Sequence, residues 1–185
     1  MGKKTGIRAD ANDTIGAGHI MRCITIARQL RKLGQETVFF TADASGHPLL
    51  EEAGMDYVNL ESRWDCMEEE CEELLRQLEQ TGCDRLLVDS YQVTEAYFES
   101  LGKQYPVIYL DDCFEGVYPV DLLINYNAFH SRFPYQESYG EETQLLLGTA
   151  YVPLREEFSL EQYPKYQKFQ NDEKFQKDQK LQYDQ

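Results

Sequence analysis

The sequence predicts an α/β fold in which a mainly parallel sheet carries helices on both faces. Short apolar segments alternate along the chain with segments of helical periodicity, which is the pattern of repeated βαβ units. The predicted strands are apolar on both faces, as expected when helices cover both sides of a sheet. Polar residues follow several of these strands, at the edge where parallel sheets bind ligands. Together these observations predict a Rossmann-like domain.

The first predicted strand and helix flank a glycine-rich turn. Ile7 and Ala9 alternate with polar neighbours in a short strand, and apolar residues recur at helical spacing from Ile20 to Leu30. Gly34 is expected to end that helix. The next predicted elements are a strand at 37–41, a helix at 49–53 and a strand at 57–60.

The most regular predicted helix lies in the middle of the chain. The acidic residues at 68–70, 72 and 73 are expected mostly to face water. Its apolar stripe consists of Trp64, Met67, Cys71, Leu74, Leu75 and Leu78. The later predicted elements are the strand 85–89, the helix 94–103, and the strands 107–110, 121–125 and 145–147.

The turn after the first strand has features of an anion-binding and catalytic site. Gly16 and Gly18 permit backbone conformations or close approaches that a side chain would block. His19 follows in the first helical turn, where the positive end of the helix favours anions and a neutral imidazole. His19 could therefore act as a general base for a phosphate-bearing substrate. The alternative is a tight turn in which His19 only caps the helix, since the segment matches neither a Walker loop nor a complete dinucleotide-binding loop.

Polar side chains occur at the ends of four predicted strands. Each of them alone could be a turn former or a helix cap. Because the carboxyl ends of parallel strands meet at one edge, their convergence predicts a binding site. These residues are Asp10 and Asp13, Asp89 and Tyr91, Asp111 and Asp112, and Asn125 and Asn127. His47 and His130 are expected to be surface or packing residues.

Composition excludes several classes of partner. A formal net charge of −15 over 185 residues argues against nucleic acids and anionic membranes. The five cysteines are odd in number and include no Cys-x-x-Cys pair, so free thiols are expected and neither a zinc site nor a disulfide framework is indicated. No cofactor is expected. The sequence contains no apolar run long enough to span a membrane and no signal-peptide core, and the protein is expected to be cytoplasmic.

The chain is predicted to contain one folded domain and a tail. Residues 1–158 carry all of the predicted strands and helices. Residues 159–185 are rich in Gln and Lys and lack a steady apolar stripe. This tail is expected to be disordered or weakly helical.

Taken in order, these motifs resemble those of a known enzyme family. The segments that carry the resemblance are 7–10, 15–23, 89–91, 111–112, 125–127, 146–148 and 151–158. Over most of residues 5–158 the chain is similar to the amino-terminal half of the PseG-type UDP-2,4-diacetamido-2,4,6-trideoxy-β-L-altropyranose hydrolases of pseudaminic acid biosynthesis. The first block alone is shared more loosely with glycosyltransferases of the two-Rossmann-domain (GT-B) type, such as the MurG enzymes.

The resemblance implies a metal-independent, inverting hydrolysis that releases UDP and the free sugar. His19 corresponds to the residue that activates water, while Asp10 and Asp13 orient it or the sugar. The other residues implied in substrate binding are Gly16, Gly18, Arg22, Tyr91, Asp111, Asn125 and Asn127. In this family a carboxyl-terminal Rossmann domain holds UDP, and the chain lacks its sequence, so activity without a separate UDP-binding domain is expected to be weak or absent. The alternatives are the acceptor half of a GT-B glycosyltransferase and a non-catalytic sugar-binding or assembly module.

Overall fold

One parallel sheet forms the centre of the molecule. The computed structural model describes residues 3–155 and 158, and the predicted tail at 159–185 lies outside this part of the chain. The strands are β1 (Lys4–Ala9), β2 (Glu36–Thr41), β3 (Tyr57–Asn59), β4 (Arg85–Asp89), β5 (Val107–Leu110), β6 (Leu122–Asn125) and β7 (Gln144–Leu147). They pair in the order β3-β2-β1-β4-β5-β6-β7, and every pair is parallel. The predicted α/β, Rossmann-like class is confirmed.

Helices cover both faces of the sheet. They are α1 (Gly18–Lys32), α2 (His47–Glu52), α3 (Cys71–Thr81), α4 (Glu95–Gly102) and α5 (Tyr135–Ser138), with short 3-10 turns at 44–46, 67–70, 130–132 and 149–151. Adjacent strand residues point to opposite faces. Phe39 accordingly packs with the buried residues of α1 and α2, and Phe40 packs with those of α3 and α4. None of these helices has the length and apolarity needed to cross a membrane.

The order of the strands creates a topological switch point at the centre of the sheet. From β1 the chain adds β2 and then β3 on one side, and it returns to place β4 on the other side of β1. Ala9 at the end of β1 lies beside Asp89 at the end of β4. The connections that leave these two strands diverge, and in open α/β sheets such a switch point is where ligands bind.

The predicted starting residue of the most regular helix was wrong. The helix was expected from Trp64, whereas the structure has a 3-10 turn at Met67–Glu70 and the α-helix begins at Cys71. Glu70 does not face water, because only 1% of its surface is exposed. Its carboxylate accepts hydrogen bonds from Ser62 Oγ at 2.6 Å and Tyr97 OH at 3.1 Å, in addition to those from a buried arginine.

That arginine, Arg8 on β1, joins three elements beneath the carboxyl edge of the sheet. It is fully buried and donates to both carboxylate oxygens of Glu70, from Nε at 2.5 Å and from its terminal nitrogen at 2.9 Å. Its other terminal nitrogen donates to Asp10 Oδ2 at 2.5 Å. Asp10 Oδ1 accepts the backbone N–H of Ala42 at 2.7 Å, just beyond β2. Charge and hydrogen-bonding capacity are thus largely satisfied within this cluster, as burial of ionic groups requires.

Thr94 caps helix α4, and its loss should be measurable. Thr94 has an extended backbone, and its Oγ1 accepts the backbone N–H of Tyr97 at 3.2 Å. We expect Thr94→Ala to lower the free energy of unfolding by about 1 kcal/mol, because one N–H group of the first turn loses its acceptor. Urea denaturation measures the change. Thr94→Ser, which keeps the hydroxyl, should lose much less, and an equal loss in both variants would refute the capping role.

Candidate active site

His19 and Asp89 meet at the switch point. His19 lies in the first turn of α1, which begins after the turn from β1, and Asp89 is the last residue of β4. Asp89 is fully buried and 6% of His19 is exposed. The distance from His19 Nδ1 to Asp89 Oδ1 is 2.7 Å. The sequence predicted His19 as the base but did not identify Asp89 as its partner.

This contact fixes which imidazole nitrogen carries the hydrogen. Both carboxylate oxygens of Asp89 also accept hydrogen bonds from the Arg22 guanidinium, so Asp89 is the acceptor in this network. The hydrogen must therefore be on His19 Nδ1, which leaves the lone pair on Nε2. No described residue forms a hydrogen bond with Nε2. With the hydrogen on Nδ1, Nε2 is the ring nitrogen that can accept a proton.

Arg22 lies one helical turn after His19 and on the same face of α1. Its Nε donates to Asp89 Oδ2 at 2.5 Å, and a terminal nitrogen donates to Asp89 Oδ1. The other terminal nitrogen donates to Asp112 Oδ2 at 2.8 Å and to Tyr126 OH at 2.9 Å. Burial alone would lower the pKa of Arg22, but the hydrogen bonds and charge of Asp89 and Asp112 raise it overall, so the guanidinium stays charged.

Tyr91 and Asp112 form the outer side of the site. The edge of the Tyr91 ring meets the His19 ring at a centroid distance of 4.6 Å and an angle of 75°. Tyr91 OH donates to Asp112 Oδ2 at 3.2 Å. Burial and the charge of Asp112 raise the pKa of Tyr91 to about 12, so its hydroxyl keeps its hydrogen at neutral pH. Burial opposes ionisation of Asp112, but hydrogen bonds from Arg22 outweigh it and hold the pKa of Asp112 below its usual range.

The glycine-rich turn leaves open space beside the start of α1. Asn12 Oδ1 accepts the backbone N–H groups of Thr14 at 2.8 Å and Ile15 at 3.0 Å, which holds the turn. Gly16 has φ +74°, a conformation that favours glycine. A Cβ atom added to Gly16 or Gly18 would meet nothing within 4 Å. No side chain caps the start of α1, so its first N–H groups adjoin this space.

Asp13 and Asp10 differ in their surroundings. Asp13 is exposed in the glycine-rich turn. Asp10 is buried, and each of its carboxylate oxygens accepts a hydrogen bond, one from Arg8 and the other from the backbone of Ala42. Asp10 thus ties β1 to β2. Its predicted contact with the sugar stays a prediction.

Asp111 and Asn125 anchor the turns that follow β5 and β6. Asp111 Oδ1 accepts two backbone N–H groups of its own turn at 3.0 Å, and its Oδ2 accepts Tyr135 OH at 2.9 Å. Asn125 donates to Tyr135 OH at 2.9 Å and accepts the backbone N–H of Asn127 at 2.9 Å. Asp111 and Asn125 are buried and Asn127 is half-buried. Their substrate-binding roles also remain predictions.

His47 and His130 make packing contacts. His47 Nε2 lies 2.9 Å from Thr41 Oγ1, and its ring lies against Tyr57 at a centroid distance of 4.2 Å. The His130 ring lies 3.1 Å from the position that a Cβ atom on Gly148 would take. Within residues 3–155 and 158, no group of three or more His, Cys, Asp or Glu side chains is arranged to hold a metal ion.

Comparison with known proteins identifies the fold. No protein-family model matches the sequence, and no curated protein matches it significantly. The crystal structure of MurG from Acinetobacter baumannii matches with a TM-score of 0.55 and 12% identity, over 77% of this chain and 44% of that one. A glycosyltransferase from Rickettsia africae matches with a TM-score of 0.58 and 11% identity, over 80% of this chain and 43% of that one.

The described domain has the Rossmann-like fold found in GT-B glycosyltransferases. The likeness at 11–12% identity concerns the fold alone. The chain spans less than half the length of either protein. The predicted Rossmann-like fold of this one domain is thereby confirmed.

Proposed function

We propose that this chain is the base-carrying half of an enzyme that hydrolyses UDP-2,4-diacetamido-2,4,6-trideoxy-β-L-altropyranose to UDP and the free sugar. The observation that carries the proposal is the His19–Asp89 pair, whose Nδ1 and Oδ1 atoms are 2.7 Å apart at the switch point, so that Nε2 is the ring nitrogen not bound to Asp89. The ordered sequence motifs supply the substrate class.

The proposed reaction is an inverting displacement. Nε2 of His19 removes a proton from a water molecule as the water oxygen attacks the anomeric carbon. The bond from this carbon to the diphosphate oxygen breaks, and UDP leaves with the electron pair. Asp89 stabilises the imidazolium that forms, in the way that a buried carboxylate supports a catalytic histidine. The imidazolium then returns its proton to solvent.

The charges at the site favour a neutral sugar over a diphosphate. Arg22 is the cation beside His19 at the candidate site, and it forms ion pairs with the carboxylates of Asp89 and Asp112. The net charge of the chain is −15. The start of α1 can attract an anion, but one helix end is a modest source of affinity. A separate UDP-binding domain would supply the affinity for the diphosphate, as the sequence resemblance implies.

The test measures UDP release from the altropyranosyl nucleotide. The purified chain is compared with the same chain fused after residue 158 to the carboxyl-terminal domain of a pseudaminic-acid pathway hydrolase. We expect feeble release alone and clear release by the fusion, with His19→Ala lowering the latter by about 10²- to 10⁴-fold. Undiminished release by His19→Ala would overturn the proposal.

The second candidate function is sugar transfer, and the fold likeness to the A. baumannii MurG and the R. africae glycosyltransferase favours it. His19 would then deprotonate an acceptor hydroxyl. Running the reaction in ¹⁸O-labelled water separates the two, since hydrolysis places one ¹⁸O atom on the anomeric carbon and transfer places none. An inactive fusion that still binds the free sugar would support a non-catalytic binding module.

A further inference from the structure

We propose that Arg22 is a positioning residue that holds Asp89 in the orientation needed to accept the Nδ1–H of His19. The sequence resemblance instead implies that Arg22 binds substrate. The inference rests on the proposed role of His19 as the base, but its first test requires no substrate.

The donors of Arg22 are almost all used within the protein. A guanidinium has five N–H donors. Two of them go to the two carboxylate oxygens of Asp89, and two more go to Asp112 and Tyr126. The fifth belongs to the terminal nitrogen that lies 3.2 Å from His19 Nδ1, an atom that already carries a hydrogen. Four of the five donors are therefore used within the protein, and the nitrogen that carries the fifth lies against the His19 ring.

The geometry of the pair restrains the Asp89 carboxylate. Two parallel bonds from one planar guanidinium fix both the direction and the rotation of a carboxylate. Asp112 and Tyr126 accept hydrogen bonds from the far side of the guanidinium, which restrains the orientation of Arg22 as well. The remaining donors to Asp89 are the His19 ring and the Cys23 thiol, whose Sγ lies 3.4 Å from Oδ2. Burial and Asp89 raise the pKa of Cys23, so this thiol stays neutral.

Without Arg22 the imidazole should lose its defined hydrogen position. The fully buried Asp89 would then lack its strongest counter-charge, which favours rotation or uptake of a proton. A protonated carboxyl can donate to Nδ1 and thereby place the histidine hydrogen on Nε2. That tautomer cannot act as a base at Nε2. Among the other groups at the site, Asp112 and Tyr126 contact Arg22, and Tyr91 contacts the His19 ring.

Histidine NMR tests the inference in the chain as it is. The protein has three histidines, and a His19→Gln spectrum assigns the ring of interest. In the wild type, long-range ¹H–¹⁵N correlations at neutral pH should show a hydrogen on Nδ1 and none on Nε2. We expect Arg22→Gln to lose this pattern and Arg22→Lys to weaken it, since lysine restores charge without the two parallel bonds. Arg28→Gln, at an exposed position of α1, is the matched control and should leave it unchanged.

A wild-type pattern in folded Arg22→Gln would overturn the inference. If Arg22→Gln does not fold, the same NMR measurement on Arg22→Lys decides, and an unchanged wild-type pattern in that variant would overturn the inference. In the active fusion, Arg22→Lys should lower kcat by about 10- to 100-fold with little change in KM. A raised KM with unchanged kcat would mean that Arg22 binds substrate, which also refutes the positioning role. Because the NMR experiment does not depend on turnover, failure of the proposed hydrolysis would not be mistaken for failure of this inference.

Discussion

Asp89→Asn should lower kcat of the active fusion by about 10³- to 10⁴-fold while the fold persists. The Asn amide can donate to His19 Nδ1, which favours the hydrogen on Nε2 and removes the acceptor from the side that faces the substrate. It also offers Arg22 one acceptor oxygen in place of two. Steady-state UDP release measures kcat, and circular dichroism confirms that the variant is folded.

Asp56→Asn is the matched control for this variant. Asp56 is exposed and pairs with Arg31 of α1 at 3.3 Å. It directly precedes β3 and so lies at the amino edge of the sheet, opposite the carboxyl edge where Asp89 ends β4. Its variant should retain wild-type kcat. Comparable activity in Asp89→Asn and wild type would mean that the carboxylate has no part in catalysis, and it would remove the main support for His19 as the base.

Arg8→Met should lower the free energy of unfolding by about 3–5 kcal/mol. The substitution leaves the buried carboxylates of Asp10 and Glu70 without the cation that both contact. It also removes the connection from the start of α3, through β1, to the residue after β2. Equilibrium urea denaturation gives the change.

Arg76→Met provides the comparison for this loss. Arg76 pairs with Glu73 on the surface of α3, and about half of its side chain is exposed. Such pairs contribute about 1 kcal/mol or less. If both variants lost the same stability, the buried cluster would be no more important than an ordinary surface ion pair. Replacing Arg8 and Glu70 together by methionine should recover part of the lost stability. The double variant leaves only one buried carboxylate without a cation, whereas Arg8→Met leaves two.

Local sequence patterns were sufficient for most of the sheet. The strand predicted at 107–110 is observed at Val107–Leu110, and the one predicted at 85–89 is observed at Arg85–Asp89, because each is a short apolar segment between turn residues. The beginning of α3 could not be predicted in this way. Glu70 stands in an acidic run that resembles a solvated face, and its burial depends on Arg8, which is 62 residues away. Helical periodicity carries no information about such a partner.

The candidate site was predictable only in part. The glycine-rich turn and the helical pattern after it located His19 correctly at the start of α1. Asp89 was recognised as a strand-end residue, but its pairing with His19 depends on β4 lying beside β1. Alternation of strands and helices does not fix that order. Asp111 and Asn125 show the other limit, since a polar residue at a strand end can serve its own turn.

The position of β1 between β2 and β4 has a consequence for how the protein acquires its site during synthesis. His19 and Asp89 are 70 residues apart in sequence. Closing a loop of that length costs about 4 kcal/mol of chain entropy, a cost that precedes the non-local contacts between β4 and β1 that offset it. A nascent chain that ends before β4 therefore has the histidine but no carboxylate to orient it. The pairing of β4 with β1 also brings Asp89 beside His19, so a chain in which these two strands have not paired lacks the His19–Asp89 contact.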